Sequence, residues 1–250
     1  MAEHKFPTEV IDLPSQGKLY SKDSPLAEGK IELKYMTTRE EDILMSENLI
    51  KKGVVIDKLL DSLIVTPNVK QSDLILGDKN AVLVAARILA YGPEYTTEIT
   101  DPNDINKKIQ HTFDLSTCPF RELSDDIKHD GNSFEFTTPV GKNKIKFKIL
   151  TGADEILMNK DIEQSAKYGY QASISTRLRY SVIEVDGDNK FETINAFTQN
   201  MLARDSVALR NEIQRVSPDI DLTSEIEIGG ETVSVSIPLT VEFFWPSTIK

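Results

Sequence analysis

The sequence predicts an α+β protein: two similar strand-plus-helices modules packed together, with β-hairpins between and after them and an extended N-terminal arm. Three observations carry this reading. Two stretches place apolar residues at helical spacing, each behind a short alternating segment. Other stretches alternate apolar and polar residues around turn-forming Gly, Asn and Asp. Residues 30–45 nearly recur at 144–158.

The arm, residues 1–29, holds three of the eleven prolines and has no helical period. Turns are expected at Pro14–Gly17 and near Pro25. Val10, Ile11, Leu13, Leu19 and Tyr20 give it apolar anchors, so it is expected to lie against the body. The first helical module spans 30–93. "KIELKYMT" alternates as a strand does, and "TREEDILMSENLI" follows with Thr37 or Thr38 as N-cap and acids in the first turn, where they complement the helix dipole. "VVIDKLLDSLIV" reads as a second helix stopped by Pro67. "LILGDKNAVLVAARILAYG" contains a third, apolar almost all round and therefore buried, ended by Gly92 and Pro93.

Residues 94–143 read as a β-hairpin insertion. "YTTEITDP" and "KKIQHTFDLS" are strands joined by a turn at 101–104, and "SFEFTTPVGKNKIKFKILTG" begins a second hairpin that turns near Gly141. The second helical module, 144–218, is expected to carry helices in "ADEILMNKDIEQSAKYG", in "SISTRLRYSVIEV" and from Ile194 to Val216. Residues 219–250 alternate around Gly229-Gly230 as a C-terminal hairpin, then end in an aromatic tail. As a last strand, that tail would point Phe243 and Trp245 one way and Phe244 the other.

The second module reads as an internal repeat of the first. With one gap, Lys30, Ile31, Lys34, Thr37, Ile43, Leu44 and Met45 align with Lys144, Ile145, Lys148, Thr151, Ile156, Leu157 and Met158. Downstream, Lys58, Leu59, Ser62, Leu63 and Ile64 fall opposite Arg177, Leu178, Ser181, Val182 and Ile183. Asp78 and Asp205 each open a helix. Each module presents an apolar helical face, and the two faces can cover each other.

Composition bounds the function. The chain has 250 residues, 39% hydrophobic and 28% charged, which suits a globular core. A net charge of −11 disfavours nucleic acid and anionic membrane as partners. No apolar run approaches the roughly 20 residues of a membrane span, and the first ten residues hold no apolar signal core. Cys118 is the single cysteine, so no internal disulfide is expected and a reducing cytoplasm fits.

Chemistry is hard to find. The three histidines, His4, His111 and His129, lack metal-ligand spacing, and one cysteine cannot build a zinc cluster. "REED" is explained by helix capping, and "DDIKHD", "DPNDINKK" and "DGDNKF" read as ordinary loops and turns. No phosphate-binding glycine loop or nucleophile elbow is present. Lys142, Lys144, Lys146 and Lys148 share one strand face, which reads as a solvated or edge-protecting face. Catalytic residues, metal sites and cofactors are therefore expected to be none, and no small-molecule substrate is implied. A metal-dependent hydrolase would need Glu40, Glu41 or Asp154 to meet a histidine in a cleft. A nucleic-acid scaffold would need the lysine strand free.

The two ends carry a resemblance. Leu13, Pro14, Ser15, Gly17 and Tyr20 form a Leu-Pro-Ser-x-Gly-x-x-Tyr arm. Gly29 and the helix start at Met36, Thr37, Glu40 and Glu41 follow, and the chain closes on Phe243-Phe244-Trp245-Pro246. In these features the chain resembles the baseplate hub proteins of T-even-type bacteriophages, a family that includes a hub structural subunit and a hub assembly catalyst. The resemblance implies a non-enzymatic structural or assembly role, with other baseplate hub proteins as partners. It implies the infected host's cytoplasm as the place of assembly, and the virion tail as the destination of a structural subunit. The alternative within the family is a transient, chaperone-like assembly factor absent from the mature virion. Candidate partner-binding residues are Leu13, Tyr20, Phe243, Phe244 and Trp245, since aromatic side chains dominate interface energetics.

Overall fold

The computed structural model describes residues 6–101, 104–167, 169, 172–228 and 230–245. The architecture is α+β, with helices packed against small antiparallel sheets. Strand β1 (Thr8–Asp12) lies in the arm and pairs antiparallel with β2 (Lys30–Lys34). Helices α1 (Thr38–Leu44), α2 (Glu47–Lys51), α3 (Val55–Leu63) and α4 (Leu76–Tyr91) follow. The ribbon β3 (Glu94–Asp101) with β4 (Asp104–Asp114) leads to the short β5 (Phe120–Arg121). A three-stranded sheet comes next, β6 (Phe134–Thr137), β7 (Lys144–Phe147) and, beyond helices α5 (Gly152–Lys167) and α6 (Ser173–Ser181), β8 (Val182–Val185). Helices α7 (Phe191–Asn200) and α8 (Ala203–Val216) lead to β9 (Asp219–Ile220), which pairs with β5, and to the hairpin β10 (Thr223–Ile228) with β11 (Glu231–Ser236).

Local chemistry explains the boundaries. In α3, Val55, Leu59, Leu60 and Leu63 make one buried stripe. The helix ends before Pro67, at Leu63, because Ile64 turns extended, bridges Leu33, and Val65 N–H donates to Glu32 C=O. Sheet pairing thus wins over continued helix. The same competition corrects the expectation for 173–185. The β-branched run Val182-Ile183-Glu184-Val185 leaves the helix and joins β7 as an outer strand. Between Ile194 and Val216 the single expected segment is two helices, broken where Leu202 adopts an extended backbone (ψ 140°) as the N-cap of α8. The tail departs from a strand as well: Val241–Phe244 is a 3-10 turn, so Phe243 and Phe244 both point inward. The turn expected at 101–104 falls partly outside the described residues, as do His4, Gly229 and Pro246.

Two cores result. The larger gathers Leu13 and Leu26 from the arm, Leu33, the inner faces of α1, α3 and α4, and Tyr95 and Phe113 from the long ribbon. It also takes Ile226, Ile228, Ile237, Phe243 and Phe244 from the far end of the chain. The smaller core holds Phe134, Ile145 and Phe147 with Leu178, Ile194, Leu209 and Val216, and among the described residues takes nothing after Val216.

Candidate interaction surfaces

The arm signature is a clasp around one buried carboxylate. Asp78, third residue of α4, is inaccessible to solvent. It accepts from Ser15 N–H at 2.9 Å, from Ser15 Oγ at 2.6 Å and from Tyr20 OH at 2.7 Å. Tyr20 OH in turn accepts from Ile75 N–H at 3.0 Å. Burial pushes the Asp78 carboxyl upward, and the donors from Ser15 and Tyr20 oppose that. Burial and the neighbouring Asp78 raise the Tyr20 phenol, keeping it a neutral donor. Gly17 has φ +77°, and a Cβ there would sit 2.2 Å from Ala27 C=O, so the loop closes only around glycine. Leu13 is buried in the larger core and Tyr20 is half-buried against both cores. Leu13, Ser15, Gly17 and Tyr20 of the arm signature thus each have an intramolecular job.

The aromatic end divides within three residues. Phe243 and Phe244 are 0% and 1% exposed, with ring centroids 5.5 Å apart at 87°, and Phe243 lies 5.0 Å from Tyr95. The buried Arg87 guanidinium donates through Nε to Phe243 C=O at 3.1 Å, tying the end to α4. Its other donors reach the carbonyls of Gly92 and Glu94. Trp245, by contrast, is 43% exposed.

The acids are used structurally. Glu40 is fully buried and accepts from Lys34 Nζ at 2.8 Å, Thr37 N–H at 2.9 Å, Thr37 Oγ1 at 2.6 Å and Ser62 Oγ at 2.7 Å. Burial alone would raise its carboxyl, but these donors outweigh it and hold the pKa at about 2. Asp154 accepts from Lys148 Nζ at 2.7 Å and from Thr151 N–H and Oγ1, both at 3.0 Å. Glu41 accepts from Tyr91 OH. Among the described residues no histidine is one of these partners: His129 faces Gly131 C=O and His111 packs edge-on against Phe113. Among the described residues, no group of three or more His, Cys, Asp or Glu side chains is arranged to hold a metal ion. On the lysine strand, Lys146 pairs with Glu184 and Lys148 with Asp154, so two of the four cations are spent internally.

Sequence reasoning missed the aspartate clasp and its counterpart, Asp205. That side chain, third residue of α8 and also buried, accepts from Val140 N–H at 2.8 Å and Gly141 N–H at 2.9 Å across the β6–β7 turn. The signal available was an aspartate three places into a helix otherwise read as buried. It also missed the ion triad in which Lys79 reaches Asp57 at 2.8 Å and Glu155 at 2.7 Å.

The chain belongs to the T4 bacteriophage base plate protein family, whose sequence model matches residues 6–245. It is thus a phage baseplate protein, in a structural or assembly role. No curated protein and no solved structure matches it. No helix among the described residues is long and apolar enough to cross a membrane.

Proposed function

We propose that this chain acts in the central hub of the baseplate, through protein–protein contacts alone, with no bond made or broken by its side chains. The observation that carries the reading is the division of its signature residues. Leu13, Tyr20, Phe243 and Phe244 shape the body, while Trp245 stands half out of it beside the chain end. A tryptophan so placed gives a large contact area at little conformational cost, which is what a docking anchor needs. The arm and ending shared with hub proteins favour the hub over other parts of the baseplate. Glu40 and Asp154, two of the three acids a hydrolase would draw on, are held by Lys34, Thr37, Ser62, Lys148 and Thr151, which favours a structural use of these side chains.

Co-expression with the other hub proteins followed by size exclusion tests this. A co-eluting complex, weakened by Trp245→Ala, is expected; failure to co-elute with any hub protein refutes the reading. Mass spectrometry of purified virions then separates a subunit, which is present, from a transient assembly factor, which is not.

A further inference from the structure

The two halves of the chain touch through a contact that is not symmetric. At the start of α4, Leu76 N–H donates to Leu150 C=O at 2.9 Å, and Gly152 N–H donates to Leu74 C=O at 2.8 Å. Ile75 and Thr151 form the bridge between them, and Lys79 pairs with Glu155 just beyond. One side of this contact is the N-cap of the last helix of the first half. The other is the N-cap of the first helix of the second half.

Each half owns both kinds of surface. Counting from the paired strands without a gap, Ile31, Leu33, Lys34, Thr37, Glu40 and Leu44 fall on Ile145, Phe147, Lys148, Thr151, Asp154 and Met158. Buried Ile31, Leu33 and Leu44 fall on buried Ile145, Phe147 and Met158, and the Lys–Thr–carboxylate cap recurs. The gapped alignment instead sets buried Leu44 against half-exposed Leu157. For the last helices, Asp78 falls on Asp205 and Ile75 on Leu202, and both N-caps share one backbone, φ −65° and ψ 152° against φ −59° and ψ 140°.

The counterparts of the internal contact are therefore Met201–Ala203 in the second half and Met36–Thr38 in the first. Both are uncovered. Leu202 is 51% exposed where Ile75 is 1%. Met201 C=O, Ala203 N–H, Met36 C=O and Thr38 N–H, the equivalents of the four groups that bond internally, make no backbone hydrogen bond among the described residues. Exposed Arg204 flanks the first surface, and Glu41 and Asp42 flank the second. Thr38 stands where Gly152 admits Gln71 C=O, but the 3-10 turn carrying Gln71 gives way to α7 in the second half, so that close approach is not repeated.

We propose that the chain is an internal duplication and that its asymmetric contact between halves is repeated between chains: Met201–Ala203 of one copy docks on Met36–Thr38 of the next. Each copy offers one surface of each kind, so association runs head to tail and yields a ring or a filament. The proposal stands on this geometry and does not depend on which part of the baseplate the protein serves.

Light scattering of the purified full chain across a concentration series tests it, with Leu202→Asp and Thr38→Arg as variants. Both positions are exposed, and unchanged thermal melting confirms that the variants fold. The wild type is expected to gain mass with concentration, and each variant alone to remain monomeric. An equimolar mixture of the two is expected to recover one dimer and nothing larger, because one intact pair of surfaces remains. A monomeric wild type, variants that still assemble, or a mixture that stays monomeric would each overturn the proposal.

Discussion

Residues 8–91 and 134–216 solve one problem with the same tool. Each closes a two-stranded hairpin under the last helix of its region, and each pins that hairpin with a carboxylate three residues into the helix. What differs is the loop being pinned. The β6–β7 turn, 138–143, is short enough for its own backbone to supply both donors to Asp205. The β1–β2 loop, 13–29, wanders, and it supplies hydroxyls from Ser15 and Tyr20 as well as one N–H. A long loop has more entropy to lose on ordering, so it needs more fixed contacts to hold one conformation. The arm signature is therefore explained by its own fold, and a shared signature need not mark a docking surface.

The cores differ in the same direction. The first region is roofed by the C-terminal hairpin and by Phe243 and Phe244; the second has no such cover among the described residues. Phe243→Ala should test this most strongly, costing about 3–5 kcal/mol because a fully buried ring leaves a cavity. Chemical denaturation measures it. A loss below about 1 kcal/mol would mean the end of the chain is not part of the first core.

Next in size is the acid response of the cap at α1. The Glu40 pKa falls from 4.5 to about 2, so the stability it brings is full above pH 4.5 and is lost as pH drops from 4.5 toward 2. The component is about 3 kcal/mol. Glu40→Gln should lower the melting temperature at neutral pH, with the deficit shrinking toward pH 2. In the second region, among the described residues, Asp154 accepts from Lys148 and Thr151 and from no hydroxyl in the role of Ser62. Asp154→Asn should cost less, about 1 kcal/mol at neutral pH. Equal costs would erase this difference between the regions.

The clasps rank third. Asp78→Ala strands two hydroxyls and an N–H and should cost about 2–3 kcal/mol; Asp205→Ala strands two N–H groups and should cost about 1–2 kcal/mol. Hydrogen exchange at Ser15 and Gly17 should rise in the first variant, and at Val140 and Gly141 in the second.

Much of this was legible in the residues. Helical stripes such as Val55, Leu59 and Leu63, and alternation such as Lys144–Phe147, state their own burial, because period and face are local properties. The breaks were less legible. Val182–Val185 carries a helical continuation in its spacing, and only the open edge of β7 makes it a strand. The clasps were least legible of all. Asp78 meets Ser15 from 63 residues away, and no periodicity encodes that encounter. The same holds for the aromatic end, where Arg87, 156 residues upstream, fixes which rings turn inward.

The smallest stability effect is expected at the residue proposed as the docking anchor. Trp245 follows two buried rings but shows 43% of its surface, and its N–H donates to Glu242 C=O within the same 3-10 turn. Trp245→Ala removes little packing and no backbone bond, so it should change folding stability by less than about 0.5 kcal/mol. Against a hub partner the same change should cost about 2 kcal/mol or more, roughly a thirtyfold loss of affinity, if the ring fills a pocket there. Calorimetric titration of wild type and variant measures the second quantity and thermal melting the first. A large stability loss would place the ring in the core with Phe243 and Phe244. Unchanged stability with unchanged affinity would remove Trp245 from the interface and leave the exposed α8 N-terminus as the surface to probe.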